Sequence, residues 1–225
     1  MQSSNYAIQS DSINAGGGLS SSTSYVQEST VGEVATGESS SASYALKAGY
    51  QQMQEVYIAL TGAGNVTMSP SIAGVTGGIS NGSTTVTVTT DSPSGYELTI
   101  AAANSPAMQK GSDTIADYTP VGAVPDFAFI TSTADSHLGY TPEGVDIVQR
   151  FKDNGSDTCN VDTTDSAFAC WDGLSTTAVQ IAANTNANHP NGATTTIHFR
   201  VGVGGSVLQA PGVYTATTTI TALPL

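Results

Sequence analysis

The chain is poor in charge, and what charge it carries is lopsided. Only 10% of its 225 residues are Asp, Glu, Lys or Arg, and 18 acids stand against five cations (Lys47, Lys110, Arg150, Lys152 and Arg200), a net charge of −13. So few cations cannot neutralise a phosphate backbone, which excludes nucleic acid as a partner. Cysteine is scarce too. Cys159 and Cys170 are the only two, too few for a cysteine-rich zinc module, and no histidine lies between them to complete a metal set. No apolar run approaches the ~20 residues that cross a bilayer as a helix, so no membrane span is expected. Tryptophan occurs once, as Trp171, and the three histidines, His137, His189 and His198, lack the spacing of a metal pair.

What is abundant is small and polar, with 24 glycines, yet 39% of the residues are hydrophobic, and these fall in alternating runs. That combination describes a folded β protein rather than a disordered acidic chain. The ten residues between Cys159 and Cys170 can close as a small loop, read here as a disulfide; two free thiols or half a metal site are the alternatives. A structural disulfide implies an oxidising, extracytoplasmic compartment. Met1 runs directly into Gln2-Ser3-Ser4, which reads as a mature N-terminus behind an added initiator methionine. A secreted, extracellular location is therefore expected without a signal peptide in view.

The front of the chain is repetitive. Gly18-Leu19-Ser20-Ser21-Ser22-Thr23-Ser24-Tyr25 recurs as Gly37-Glu38-Ser39-Ser40-Ser41-Ala42-Ser43-Tyr44, and Tyr6, Tyr25 and Tyr44 are spaced by 25 − 6 = 44 − 25 = 19 residues. Each unit reads as strand, Gly/Ser turn, strand. The apolar content is too thin for any unit to fold alone, because burying Tyr44, Leu46 and Tyr50 returns about 1.5–3 kcal/mol each while ordering each backbone residue costs about 1–2 kcal/mol. These strands need a neighbour. Residues 1–53 are accordingly assigned as a Ser/Gly-rich β-repeat extension and a candidate donor region, with Tyr6, Ile8, Ile13, Tyr25, Val31, Val34, Tyr44, Leu46 and Tyr50 as the side chains that would seat in a partner sheet.

From Gln54 onward the runs lengthen. Val56, Ile58 and Leu60 alternate with Tyr57 and Ala59; Val86 and Val88 alternate with Thr85, Thr87 and Thr89; Tyr96, Leu98 and Ile100 follow a turn at Asp91-Ser92-Pro93-Ser94-Gly95. The last two predict a β-hairpin. Further strands are expected at 127–130, 197–203 and 213–223, and residues 142–151 lean to strand over a short helix. The fold class expected for 54–225 is all-β, an antiparallel β-sandwich or jelly-roll-like domain.

Two sets of segments carry a resemblance. The Ser-Ser-x-x-Tyr-x-(Ile/Leu) and Thr30-Val31-Gly32-Glu33-Val34-Ala35-Thr36-Gly37 patterns resemble N-terminal repeats of secreted bacterial proteins. Residues Thr85 to Thr90, Gly95 to Ala101 and Gly212-Val213-Tyr214-Thr215-Ala216-Thr217 resemble strands of bacterial surface β-sandwiches, including TasA-like and other donor-strand, pilus-like filament subunits. The resemblance implies an extracellular structural protein at the cell surface, a homo-oligomer or filament in which a strand of one subunit completes the sheet of the next. No catalytic residue carries over, and an enzyme is not expected.

Candidate chemistry is sparse. Gly78-Ile79-Ser80-Asn81-Gly82 matches Gly-x-Ser-x-Gly, but Gly77-Gly78 and Asn81-Gly82 read as turns before a Thr/Val strand, not as a strand-to-helix elbow. The acidic loop around Asp153, Asp157, Asp162 and Asp165 is rich in the hard oxygens that calcium takes, without matching the twelve-residue calcium loop; calcium is the only cofactor considered. Trp171, with Phe168 nearby, either forms a sugar-stacking platform or packs over the disulfide, and its exposure decides. The first option makes the chain a secreted carbohydrate-binding or adhesion module with the repeat as linker, the alternative to the filament subunit.

Overall fold

In the computed structural model of the protein the described residues are 15–22, 26–32, 37–40, 45–49, 56–73, 76–122 and 124–225. The chain divides into two compact units, Met1–Val56 and Tyr57–Leu225.

The first unit contains two β-hairpins. Strand β1 (Gly16–Ser21) pairs antiparallel with β2 (Val26–Val31), and β3 (Gly37–Ser40) with β4 (Ala45–Ala48). The 19-residue period is built into the pairing: Ser21 faces Val26 in the first hairpin, and Ser40 faces Ala45 in the second, each position displaced by 19. The glycine run lies in a strand rather than in the expected turn. Gly17 has φ +128°, and a Cβ there would sit 2.1 Å from the Ser29 carbonyl oxygen across the ladder, so only glycine fits this position of the ribbon.

The second unit is all-β, a half-barrel with mixed pairing. Its larger sheet has the order β14 (Thr215–Ala216), β8 (Met108–Lys110), β9 (Asp113–Asp117), β10 (Ser136–Glu143), β13 (Ala193–Val203), β6 (Gly78–Thr90), β5 (Ile58–Thr61), with β11 (Asp172–Gly173) also on β10. Its smaller sheet is β12 (Val179–Asn184), β7 (Tyr96–Ala102), β15 (Thr218–Pro224). Alternation places Val86, Val88, Leu98, Ile100, Ile181, Ile197, Phe199 and Val201 in one shared core, as period-2 side-chain patterning requires.

Several sequence expectations give way. Strand β9 runs parallel to β10, so the large sheet is not purely antiparallel. β6 and β7 do not form the expected hairpin: β6 pairs with β13 and β5, and β7 with β12 and β15. Residues 91–95 instead carry the chain from one sheet to the other. Ser92 is buried, its amide donating to Thr90 Oγ1 and its hydroxyl to the Leu225 carbonyl, and Gly95, at φ +83°, leaves room for the Asn184 carbonyl. Both strands bury their apolar face, so crossing the core satisfies them together, whereas folding back would leave one layer uncovered. Of residues 142–151 only Pro142 and Glu143 lie in a strand. β10 ends at Glu143, and the chain closes into a single 3₁₀ turn at Gln149–Phe151 that buries Phe151. The run 127–130 is not a strand, and 213–223 is broken at Thr217 between β14 and β15.

Candidate functional site

Two regions bear on function, one in each unit. In the ribbon every residue of β1 is exposed, Leu19 at 71%, and Val31 at the end of β2 is 60% exposed. A two-stranded ribbon of this kind is marginal by itself. Of the residues expected to seat in a partner sheet, Val31 ends β2 and Leu46 sits in β4 opposite Ser39; Tyr6, Ile8, Ile13, Tyr25, Val34, Tyr44 and Tyr50 lie outside the described residues.

In the second unit the active-looking surface is the outer face of the large sheet, which two glycines open to covering side chains. Gly139 on β10 and Gly202 on β13 point outward, and a Cβ on either would meet the Phe129 ring, at 2.8 and 3.0 Å. Their missing side chains let Phe129 lie flat on the sheet, where it stacks on Tyr118 at 4.7 Å and meets Trp171 edge-on at 5.3 Å. The Arg200 guanidinium lies 4.4 Å from the Trp171 ring centroid, a cation–π contact, and its Nε donates to Asn81 Oδ1 at 2.7 Å. Burial draws the Arg200 pKa down. Tyr118 donates to Asp126, and burial together with that acceptor pushes its hydroxyl up to about 12. Trp171 is therefore 0% exposed and belongs to this cluster. It presents no ring face to a sugar, and the expected stacking platform is corrected on that point.

The exposed ring is Phe168, at 52%. It stands in the loop closed by the Cys159–Cys170 disulfide, which is present as the sequence predicted. All four non-glycine residues with positive φ among the described residues fall in this loop: Asn160, Asp162, Phe168 and Cys170. An aromatic residue at φ +57° is an outlier that neighbours must enforce. Here they do so from both sides: the Phe168 amide donates to Glu143 Oε1 at 2.6 Å, and its carbonyl accepts the Trp171 indole N–H at 2.8 Å. The ring so held lies 4.6 Å from the His198 ring, and His198 Nε2 is 3.2 Å from the other Glu143 oxygen. Phe168, Trp171 and His198, with Asn81, Gly82 and Ser83 of β6 and Phe199, line an open groove of about 300 Å³. Beyond it the same outward face continues as threonines paired across β6 and β13, Thr85 with Thr196 and Thr87 with Thr194.

The acidic loop uses its oxygens internally. Asp153 is buried and accepts from the Gly155 amide, the Ser166 amide and the Ser166 hydroxyl. Asp157 accepts from Asn154 and Thr158, which hold its carboxyl below the usual range. Asp162 offers its backbone carbonyl to Gln149. Asp165 accepts from the Gly144 amide; burial raises its pKa, and Glu143 and Asp153 push it the same way. Among the described residues no group of three or more His, Cys, Asp or Glu could hold a metal ion, and Asp153, Asp157 and Asp165 spend carboxylate oxygens on hydrogen bonds inside the fold. Among the described residues no helix is long and apolar enough to cross a membrane.

The sequence had flagged Trp171, Phe168 beside it and the aspartates, but gave the presented ring as Trp171 rather than Phe168 and missed Glu143 and His198 as partners. Glycines inside two strands mark a close approach and were the available sign that aromatics cover this face. The chain matches no family model, no curated protein and no solved structure.

Proposed function

We propose that this protein is an extracellular structural subunit that self-assembles into a surface filament or layer by β-strand complementation, with residues 1–53 as the donor region. The observation that carries the reading is the β1–β2 ribbon: a regular ladder of small residues whose β1 side chains are all exposed and whose apolar Leu19 and Val31 have no cover. Exposed ladder edges pair readily with another chain. Backbone hydrogen bonds supply affinity in that mode, and side chains on alternate positions supply fit. The second ribbon repeats the first at a 19-residue offset, so a partner that accepts one accepts both.

On this reading the second unit is a sandwich-like body, its two sheets sharing one core, and β15, which among the described residues pairs with β7 alone, is the acceptor edge. The head-to-tail contact yields an open filament wherever its rotation does not close a ring. The disulfide accords with secretion, and the subunit is non-enzymatic. Light scattering and negative-stain microscopy of the full chain, beside a truncation starting at Gln54, test this. Filaments or large oligomers from the full chain and monomers from the truncation are expected. A full chain that stays monomeric across concentration, pH and salt sinks it.

A further inference from the structure

The groove beside Phe168 plays no part in the proposed strand exchange, yet among the described residues of the second unit it is the one place where a bulky residue is held in an unfavourable backbone conformation without being buried. Strain of this kind costs of order 1–3 kcal/mol and persists where surroundings over-determine it, commonly at ligand sites. A core position would recover the cost through burial, but Phe168 is 52% exposed. Its amide is tied to Glu143 and its carbonyl to Trp171, so the ring is set at a fixed height above the sheet and pre-organised for a partner.

We propose that this groove binds a neutral saccharide, one pyranose ring lying with its C–H face on Phe168 and its hydroxyls turned to the floor. The floor supplies what a polyol needs. Ser83 offers a hydroxyl that both donates and accepts. Asn81, whose oxygen is taken by Arg200, turns to the ligand with its amide nitrogen. His198, paired with Glu143, closes one side with its ring. A volume of about 300 Å³ sits at the small end of ligand pockets, sized for a single ring rather than a long chain buried end to end. The outward threonines Thr85, Thr87, Thr194 and Thr196 continue the hydroxyl-lined path for neighbouring sugar units. The ligand is neutral because the whole chain carries a net charge of −13, which repels acidic glycans.

The test uses the full chain against an array of neutral and acidic oligosaccharides. It is paired with NMR titration by methyl glucoside, methyl galactoside and methyl N-acetylglucosaminide at high millimolar concentration, following the Phe168 ring signals. Neutral glycans are expected to bind and to shift that ring, Phe168→Ala to weaken binding at least tenfold, and Ser83→Trp, which fills the groove from its exposed floor, to abolish it. Circular dichroism of both variants checks that the fold persists. No shift of the Phe168 ring with any of the three glycosides and no neutral glycan retained would overturn the proposal. So would binding confined to acidic glycans, or binding that survives both substitutions. None of these outcomes depends on whether the chain forms filaments, which the Gln54 truncation reads separately.

Discussion

The β1–β2 ribbon and the 153–171 loop are both rich in small polar residues, sharing Ser, Thr and Gly, and they use them in opposite ways. In the ribbon the order is in the backbone: each residue pairs with its opposite across a regular ladder, side chains of β1 all face solvent, and a second ribbon repeats the register 19 residues on. In the loop nothing repeats. Side chains hold the backbone, Asn154 alone accepting from the amides of Ser156, Asp157 and Thr158, while a disulfide closes a segment with four left-handed residues. Periodic residues make a ladder that is copied from one hairpin to the next. Aperiodic ones, tied by carboxylates and a cross-link, make a single shape that does not recur among the described residues. Composition alone does not separate the two; the presence of a period does.

The comparison breaks most sharply at the disulfide. Replacing both cysteines, Cys159→Ala with Cys170→Ala, frees the loop in the unfolded state and is expected to cost about 2–4 kcal/mol, a fall of roughly 5–15 °C in Tm for a chain of this size. Thermal denaturation with and without reductant measures it: reductant lowers the wild-type Tm toward the variant's and leaves the variant's unchanged. Assembly through the ribbon stays at the wild-type level, because the ladder owes nothing to the loop. If assembly fell in step with Tm, the two regions would not be independent.

The reciprocal experiment is Gly17→Ala. At φ +128° with the Ser29 carbonyl 2.1 Å from the added Cβ, alanine cannot keep the ladder, and a backbone penalty of about 1–2 kcal/mol raises the concentration needed for assembly by about tenfold. Sedimentation across a dilution series reads that shift, while the main melting transition stays in place. A smaller effect separates strain from side-chain loss in the loop. Phe168→Gly and Phe168→Ala both remove the ring, but only glycine accepts φ +57° freely, so Phe168→Gly is expected to be more stable than Phe168→Ala by about 1 kcal/mol. Equal stabilities would show that Glu143 and Trp171 hold the backbone there without strain.

Legibility followed the same division. The repeat was readable because it is local: spacing of Tyr6, Tyr25 and Tyr44 gave the offset that the paired strands obey, although Gly16–Gly18, read as part of a Gly/Ser turn, lie in β1. In the second unit alternation identified β6, β7 and β13 and their buried residues Val86, Val88, Leu98, Ile100 and Ile197. It could not say which strand pairs with which. A five-residue link between apolar strands fits a hairpin and a crossover equally well by length, and the choice rests on Ser92, Gly95 and Leu225 meeting at one end of the core. The candidate groove was the least readable part, since Asn81, Glu143, Phe168 and His198 come from four separate segments. Trp171 was noticed for its rarity, but its environment depends on Tyr118, Phe129 and Arg200, none of them near it in sequence.

The smallest predicted effect tests how completely the loop's carboxylates are accounted for. Asp165 is exposed at the surface and hydrogen-bonded to the Gly144 amide, and partial desolvation, aided by Glu143 and Asp153, raises its pKa above the ordinary 3.8. A folded state that binds the proton more tightly than the unfolded chain gains stability from this group at pH below that ordinary value and loses it as pH rises through the folded value. At neutral pH the ionised carboxylate is thus a liability of the loop. Asp165→Asn keeps an acceptor for Gly144 and removes the charge, so the variant is expected to melt slightly above wild type at pH 7. The difference shrinks as pH falls through the raised pKa and reaches its minimum below 3.8. A calcium ion bound at Asp165 would reverse the sign: wild type in millimolar calcium would then melt above Asp165→Asn at pH 7, and the loop would have to be read as a metal site after all.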